Sequence, residues 1–259
     1  MITLASDFGV PYPAAMRGVI ASDCDARMID ITHQFPRQDV RTAAFWLREV
    51  LPYYPPAVHC AVVDPGVGTD RSALVVRAGE HALVGPDNGL LLPAARQLAD
   101  TVEVFEWAYD DPGSATFHGR DVFAPAAATV HDSGVAAIDA LDRATRAEEH
   151  VDRSFPEPTI EESNARAVGE VLVVDGFGNA ITNVPGTVCE SAMGGVIRVN
   201  DERVPVERSY ATRDPGDRLV TVGSHGNLEL AVNQGRGENA FGVTTGTTIK
   251  FEWEIDEKA

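Results

Sequence analysis

The chain has 259 residues, enough for one large domain or two ordinary ones. Its 39 acidic residues against 21 basic ones give a formal charge of −18, so no basic stripe exists to neutralise phosphates and nucleic acid is excluded as a partner. Only Lys250 and Lys258 are lysines, and an acidic, lysine-poor surface suits concentrated salt, where repulsion is screened within about 3 Å; the expectation is a halophilic protein, the bland alternative an ordinary acidic mesophilic enzyme.

In chain order, residues 1–6 predict a first strand that ends in the polar loop Asp7-Phe8-Gly9. A helix is predicted over 14–21 and a second strand over 28–32. Over residues 39–51, Val40, Ala43, Ala44, Leu47 and Val50 share one helical face. Residues 58–63 read as a buried strand, 73–77 and 82–84 as a hairpin, and 89–99 as a helix. Residues 122–131 are small and apolar, suited to a helix packed closely on a sheet. Strands alternating with helices indicate an N-terminal α/β domain over residues 1–150, with a central mostly parallel or mixed sheet.

Composition shifts near residue 147, and residues 151–166 read as an acidic, proline-bearing linker. Beyond it, residues 167–259 predict a smaller C-terminal, mainly β domain, with strands over 169–174, 180–183, 195–199, 203–206, 218–222 and 247–254. No run approaches membrane-spanning length and no basic-then-apolar leader opens the chain, so a cytoplasmic protein without a membrane partner is expected. Cys24, Cys60 and Cys189 are odd in number and far apart, which argues for reduced thiols rather than a zinc knuckle.

Three polar motifs are set in apolar runs: Val63-Asp64-Pro65-Gly66-Val67-Gly68 with Arg71 behind it, Gly85-Pro86-Asp87-Asn88-Gly89, and Thr116-Phe117-His118-Gly119-Arg120-Asp121. They supply a carboxylate, a guanidinium and an imidazole, enough to orient and deprotonate water. Asp64 follows a strand, where α/β sheets bind ligands. Gly66 and Gly68 would expose backbone N–H groups to the ligand, and Arg71 could pair with Asp64. A turn carboxylate capping its own backbone is the structural alternative. His118 lies between an aromatic ring and a glycine, a context that favours a pocket. Asp7 can accept from a ribose diol or cap the next helix, and the sequence leaves both open. Asp175-Gly176-Phe177-Gly178-Asn179 reads as a β-turn, with a phenylalanine that turn geometry does not demand. A metal site from Asp7, Asp64, Asp87 and His118 is chemically possible, but the spacing does not require one, and no metal or cofactor is expected.

Together with Ser6-Asp7-Phe8-Gly9, Asp30-Ile31-Thr32-His33 and Asp175-Gly176-Phe177-Gly178-Asn179-Ala180-Ile181-Thr182-Asn183, these motifs make the chain resemble the S-adenosylmethionine hydroxide adenosyltransferases, or SAM hydrolases, relatives of the fluorinating and chlorinating SAM enzymes. The halogenating relatives carry tyrosines where this chain has Asp64 and His118. The resemblance implies an α/β domain and a β domain in a homotrimer, with sites between neighbouring subunits. It implies a catalytic set of Asp64, Arg71 and His118, with Asp7 on the ribose hydroxyls. Phe117 and Gly119 would pack near the adenosyl group. Asp175 and Ser224 would hold the methionine part beside Phe177, with Asn179 and Asn233 near the adenine. One departure is the loop Val10-Pro11-Tyr12-Pro13, shorter than the family's usual loop and lacking its acidic residue.

The reaction so implied is attack of water on the ribose 5′ carbon of S-adenosylmethionine, giving adenosine and methionine. The sulfonium is already a good leaving group, so positioning and activating the water is the main task. A halide-using SAM enzyme is the nearest rival, and Asp64 and His118 count against it. A non-catalytic SAM-binding protein would not need a base. A metal-dependent hydrolase ranks third.

Overall fold

The computed structural model describes residues 1–161, 163 and 165–253. The chain divides into two units, Met1–Ser154 and Phe155–Ala259.

In the first unit, strand β1 (Ile2–Ser6) is buried along its whole length. Helix α1 (Tyr12–Asp23) leads to β2 (Met28–Thr32), which pairs parallel with β1. Helix α2 (Val40–Val50) starts where Asp39 accepts a bond from the Thr42 N–H at 3.0 Å, and it buries Val40, Ala43, Ala44 and Leu47 of the expected face, while Val50 at its end is only half-buried. Strand β3 (Val58–Val62) then pairs with the opposite edge of β1. Strands β4 (Ala73–Ala78) and β5 (His81–Pro86) form the expected hairpin, and β5 also pairs parallel with β3. Helix α3 (Leu92–Leu98) begins later than its apolar pattern suggests, because Gly89 adopts a positive φ of 83° in the preceding turn.

Strands β6 (Val102–Trp107) and β7 (Ala144–Arg146) go beyond the sequence expectations. Exposed Glu106 and partly buried Glu103 interrupt the apolar run of β6, and Glu103 pairs with Arg77 on β4 and Arg146 on β7. Helix α4 (Ala124–Ser133) buries Ala124, Ala126, Ala127, Ala128 and Val130, small residues that let it lie close to α1 and β3. The sheet order is β2-β1-β3-β5-β4-β6-β7, with the first four strands parallel and the later pairings antiparallel. One core joins Ile2, Leu4, Val58, Cys60 and Val62 of the sheet to Met16 and Ile20 of α1 and to Ala124, Ala126 and Ala127 of α4. The chain leaves β1 toward β2 on one side and returns to β3 on the other. The carboxyl ends of β1 and β3 therefore flank the point where strand order reverses, the usual place for a ligand crevice.

The second unit is a sheet of antiparallel ladders. Residues expected as a linker include the short strand β8 (Thr159–Glu161), which pairs with β9 (Arg166–Val174). The remaining strands are β10 (Ala180–Pro185), β11 (Val196–Val199), β12 (Glu202–Pro205), β13 (Arg218–Val222), β14 (Asn227–Val232) and β15 (Thr248–Glu252). Of these, β14 was not expected, nor was the short helix α5 (Gly237–Phe241) after it. The last expected strand reached Glu254, which lies outside the described residues. The order is β12-β11-β15-β9-β10-β14-β13, and a bridge from Val206 to Val220 ties its two ends together, curling the sheet towards closure. Val171, Val184, Ile197, Leu228, Leu230, Ile249 and Phe251 form its core.

Cys60 and Cys189 are buried free thiols, each pushed up to about 12 by burial. No helix among the described residues is long and apolar enough to cross a membrane.

Candidate active site

Ser6 at the end of β1 lies opposite Val62 of β3, so Asp7 and Asp64 leave the sheet side by side. Both line a cavity of about 650 Å³ with Phe8, Tyr12, Arg37, Gln38, Phe117 and Arg120. That volume is in the range of sites for small ligands.

Asp64 is the best-defined group in it. Its side chain is 3% exposed and the Arg71 side chain 12%. Arg71 grips it with two bonds, Nε to Oδ1 at 3.0 Å and Nη2 to Oδ2 at 2.5 Å. The Gly66 N–H also donates to Oδ1, at 3.1 Å. Asp64 is thus both a turn carboxylate and an arginine partner. The expectation that Gly66 offers its N–H to a ligand is corrected, since Asp64 already takes it. Gly68 has φ of 80°, and a Cβ there would come within 2.8 Å of the Ala115 carbonyl, so the loop closes against the residues before Phe117. The Arg71 guanidinium also lies 5.7 Å from the Phe123 ring centre. A carboxylate offers about four lone pairs, and three are used here. The fourth, on Oδ2, takes no other partner among the described residues.

Asp7 does not cap α1, whose N-cap is Pro11 without a side-chain bond. Its Oδ2 accepts instead from the Gln38 N–H at 2.7 Å. Gln38 has φ of 62°, a turn that aims its N–H at Asp7. Asn88 explains the Pro-Asp-Asn-Gly motif: its Nδ2 donates to the Val63 carbonyl at 2.8 Å, bracing the end of β3 just before Asp64. Asp87 accepts from the Val151 N–H at 2.8 Å, so it braces a loop. Among the described residues no three His, Cys, Asp or Glu side chains gather where they could hold a metal ion.

Phe117 lines the cavity, while His118 is 4% exposed and not part of its lining. The His118 ring packs edgewise on Tyr109, with centres 5.9 Å apart. Gly119 opens a π-type turn (Gly119–Phe123), and a Cβ there would lie 2.8 Å from the Phe8 ring. That glycine therefore lets Phe8 seat against the turn. Arg120 lies over Phe117 at 5.3 Å and holds Asp121 through two bonds of 2.5 and 2.8 Å, which keeps the Asp121 carboxyl below its usual range. Phe8, Tyr12, Arg37 and Gln38 were not among the expected site residues. Phe8 neighbours Asp7 in the Ser-Asp-Phe-Gly motif, a usable signal; nothing local marks Arg37 and Gln38.

In the second unit, the Asp175–Asn179 turn is tied by its own side chains. Asp175 Oδ1 accepts from the N–H groups of Phe177 and Asn179 at 2.9 and 2.8 Å, and Oδ2 from Asn179 Nδ2 at 3.0 Å. Phe177 is 81% exposed at its tip. Asn179 also approaches the Tyr210 hydroxyl, which donates to the buried Glu229 at 2.8 Å, and His225 pairs with Glu229 at 3.1 Å. Burial first, then the bond to Glu229, raises the Tyr210 hydroxyl. Asn233 is buried and donates to the Arg213 carbonyl at 2.6 Å, while Ser224 lies exposed in the turn before β14.

Residues 2–140 match the family model for the SAM hydroxide adenosyltransferase N-terminal domain, and residues 169–250 match that for its C-terminal domain. The chain belongs to the SAM hydroxide adenosyltransferase family. It is 40% identical to an (R)-S-adenosyl-L-methionine hydrolase of Salinispora tropica, over 96% of each chain. It is 39% identical to one of Thermus thermophilus, over 95% of this chain and 97% of the other. Among solved structures, an uncharacterized conserved protein from Thermotoga maritima superposes with a TM-score of 0.83 at 32% identity, covering 98% of this chain and all of that one. A conserved hypothetical protein from Thermus thermophilus gives 0.77 at 36%, covering 96% and 98%.

Proposed function

We propose that this protein hydrolyses S-adenosylmethionine to adenosine and methionine. The observation that carries the reading is the clamped Asp64 in the wall of the cavity at the ends of β1 and β3. Family membership supports the substrate. Water attacks the ribose 5′ carbon, the C5′–S bond breaks with its electron pair going to sulfur, and the water's proton passes to the Asp64 carboxylate. Asp64 accepts that water's hydrogen bond and Arg71 fixes the carboxylate plane. Asp7 holds the ribose hydroxyls, and Phe117 and Gly119 shape the adenosyl side. The family resemblance adds His118 to the catalytic set, although it is buried and does not line the cavity in this structure. Asp175, Phe177, Ser224, Asn179 and Asn233 take the methionine and adenine parts. The chemistry needs no metal or cofactor, and the working form is a cytoplasmic homotrimer.

The test is to incubate the protein with S-adenosylmethionine in ¹⁸O-labelled water with added chloride. Labelled oxygen is expected in the 5′ hydroxyl of adenosine, with no 5′-chloro-5′-deoxyadenosine above background. Adenosine without label, or chlorinated product forming as fast as substrate disappears, would overturn the reading. Asp64→Asn keeps the shape and removes the charge, so turnover should drop by about a hundredfold or more while binding persists.

A further inference from the structure

Three aromatic rings meet in the wall of the cavity. Phe8 and Phe117 lie edge to face, with centres 5.8 Å apart and planes at 82°. Tyr12 meets Phe117 in the same way, at 5.5 Å and 85°. Both neighbours thus stand perpendicular to Phe117, a corner whose three rings all line the cavity. Phe8 is held by its seat on Gly119, and Tyr12 is 56% exposed. The charge of Arg120 over Phe117 is balanced by its paired Asp121. Aromatic faces attract cations through their negative quadrupole, most strongly where water is excluded.

We propose that this corner recognises the positive sulfonium of the substrate, and that Tyr12 sets the preference for that cation over its neutral thioether analogue. The inference rests on the reading of the site as a SAM-binding one. It adds a specificity determinant that the carboxylates do not explain. In-line attack puts water and sulfur on opposite sides of the 5′ carbon, so the group that handles the water is not the one that contacts the sulfur. The sulfur loses its charge as the C–S bond breaks. The rings therefore favour the bound substrate over the transition state, and their contribution appears in affinity more than in turnover. The neutral methionine sulfur then leaves without that attraction.

The experiment compares equilibrium binding of S-adenosylmethionine and S-adenosylhomocysteine by calorimetry. Asp64→Asn is present in every sample so that substrate is not consumed. Tyr12→Leu should weaken S-adenosylmethionine two- to fivefold, the equivalent of about 0.5–1 kcal/mol for a cation over a partly exposed ring, and leave S-adenosylhomocysteine unchanged. Tyr12→Phe, which keeps the ring, should keep the preference. Equal weakening of both ligands would reduce Tyr12 to apolar packing and overturn the proposal, as would no change in either. Turnover is read separately on the chain with Asp64 intact. Absence of adenosine there defeats the proposed activity, while the binding ratio still decides the role of Tyr12.

Discussion

At the scale of single residues, Arg71 answers for both stability and chemistry. Replacing it with methionine keeps much of the bulk but leaves the Asp64 carboxylate buried and unpaired. Breaking such a pair costs about 3–5 kcal/mol, far more than losing a surface ion pair. Arg71→Met is therefore expected to lower the denaturant midpoint clearly as well as reducing turnover; an unchanged midpoint would mean that Asp64 is solvated in practice. A second residue has a pH signature. His59 on β3 bonds Thr3 of β1 at 2.8 Å and His81 of β5 at 2.9 Å, and burial, helped by the neighbouring His81, pushes its imidazole down to about 3. Burial also lowers His81, against the opposing charge of Glu80. The unfolded chain takes up a proton at His59 near pH 6.5 and the folded chain only near pH 3. Its contribution is thus full above pH 6.5 and is lost progressively as pH falls towards 3, by up to about 1.4 kcal/mol per unit. His59→Gln should flatten the stability slope between pH 7 and 4.5, measured by denaturant unfolding at each pH. Parallel slopes would remove His59 from the acid response.

At the scale of elements, glycines decide how the loops around the cavity pack. Gly119→Ala places a Cβ 2.8 Å from the Phe8 ring, in a turn already packed against α1. Overpacking of this kind costs about 1–3 kcal/mol. The expected result is a lower melting temperature together with weaker S-adenosylmethionine binding, because Phe8 must move and it lines the cavity. A variant with unchanged melting and binding would show that Phe8 shifts freely. The capping of α2 by Asp39 is a simpler case: Asp39→Ala removes the bond to the Thr42 N–H, a loss of about 1 kcal/mol, without touching the cavity lining.

For the whole molecule, charge dominates. A net −18 repels itself, and the screening length shrinks from about 30 Å at 0.01 M salt to about 3 Å at 1 M. Exposed pairs such as Arg143–Asp110 and Arg96–Asp152 weaken in salt and act in the opposite direction. Each is worth only about 0–1 kcal/mol, so relief of the net repulsion should win. Melting temperature is expected to rise from dilute buffer to molar salt; a flat or falling curve would contradict the halophilic reading. Sedimentation in high salt tests assembly, with a trimer expected, and a fully active monomer would refute it.

The sequence by itself determined the elements and the chemical inventory. Strand and helix periods are local, so β1 to β5 and α2 could be read from spacing. Asp64, Arg71 and Asp7 stood out because glycine-flanked polar residues interrupt apolar runs. Where local signals were mixed, the reading stopped short at the glutamates of β6; the alternation of Leu228, Leu230 and Val232 in β14, between Gly226 and Gly235, is a strand signal that went unread. The tertiary structure alone decided which residues share a cavity. The strand order puts the ends of β1 and β3 together, and from there Gln38, more than thirty residues away in the chain, finds Asp7. It also showed that His118 lies outside the lining of that cavity and that the Asp175 turn spends its carboxylate on its own backbone and on Asn179. Hydrogen-bond partners across strands are fixed by topology and register, which no short stretch of sequence encodes.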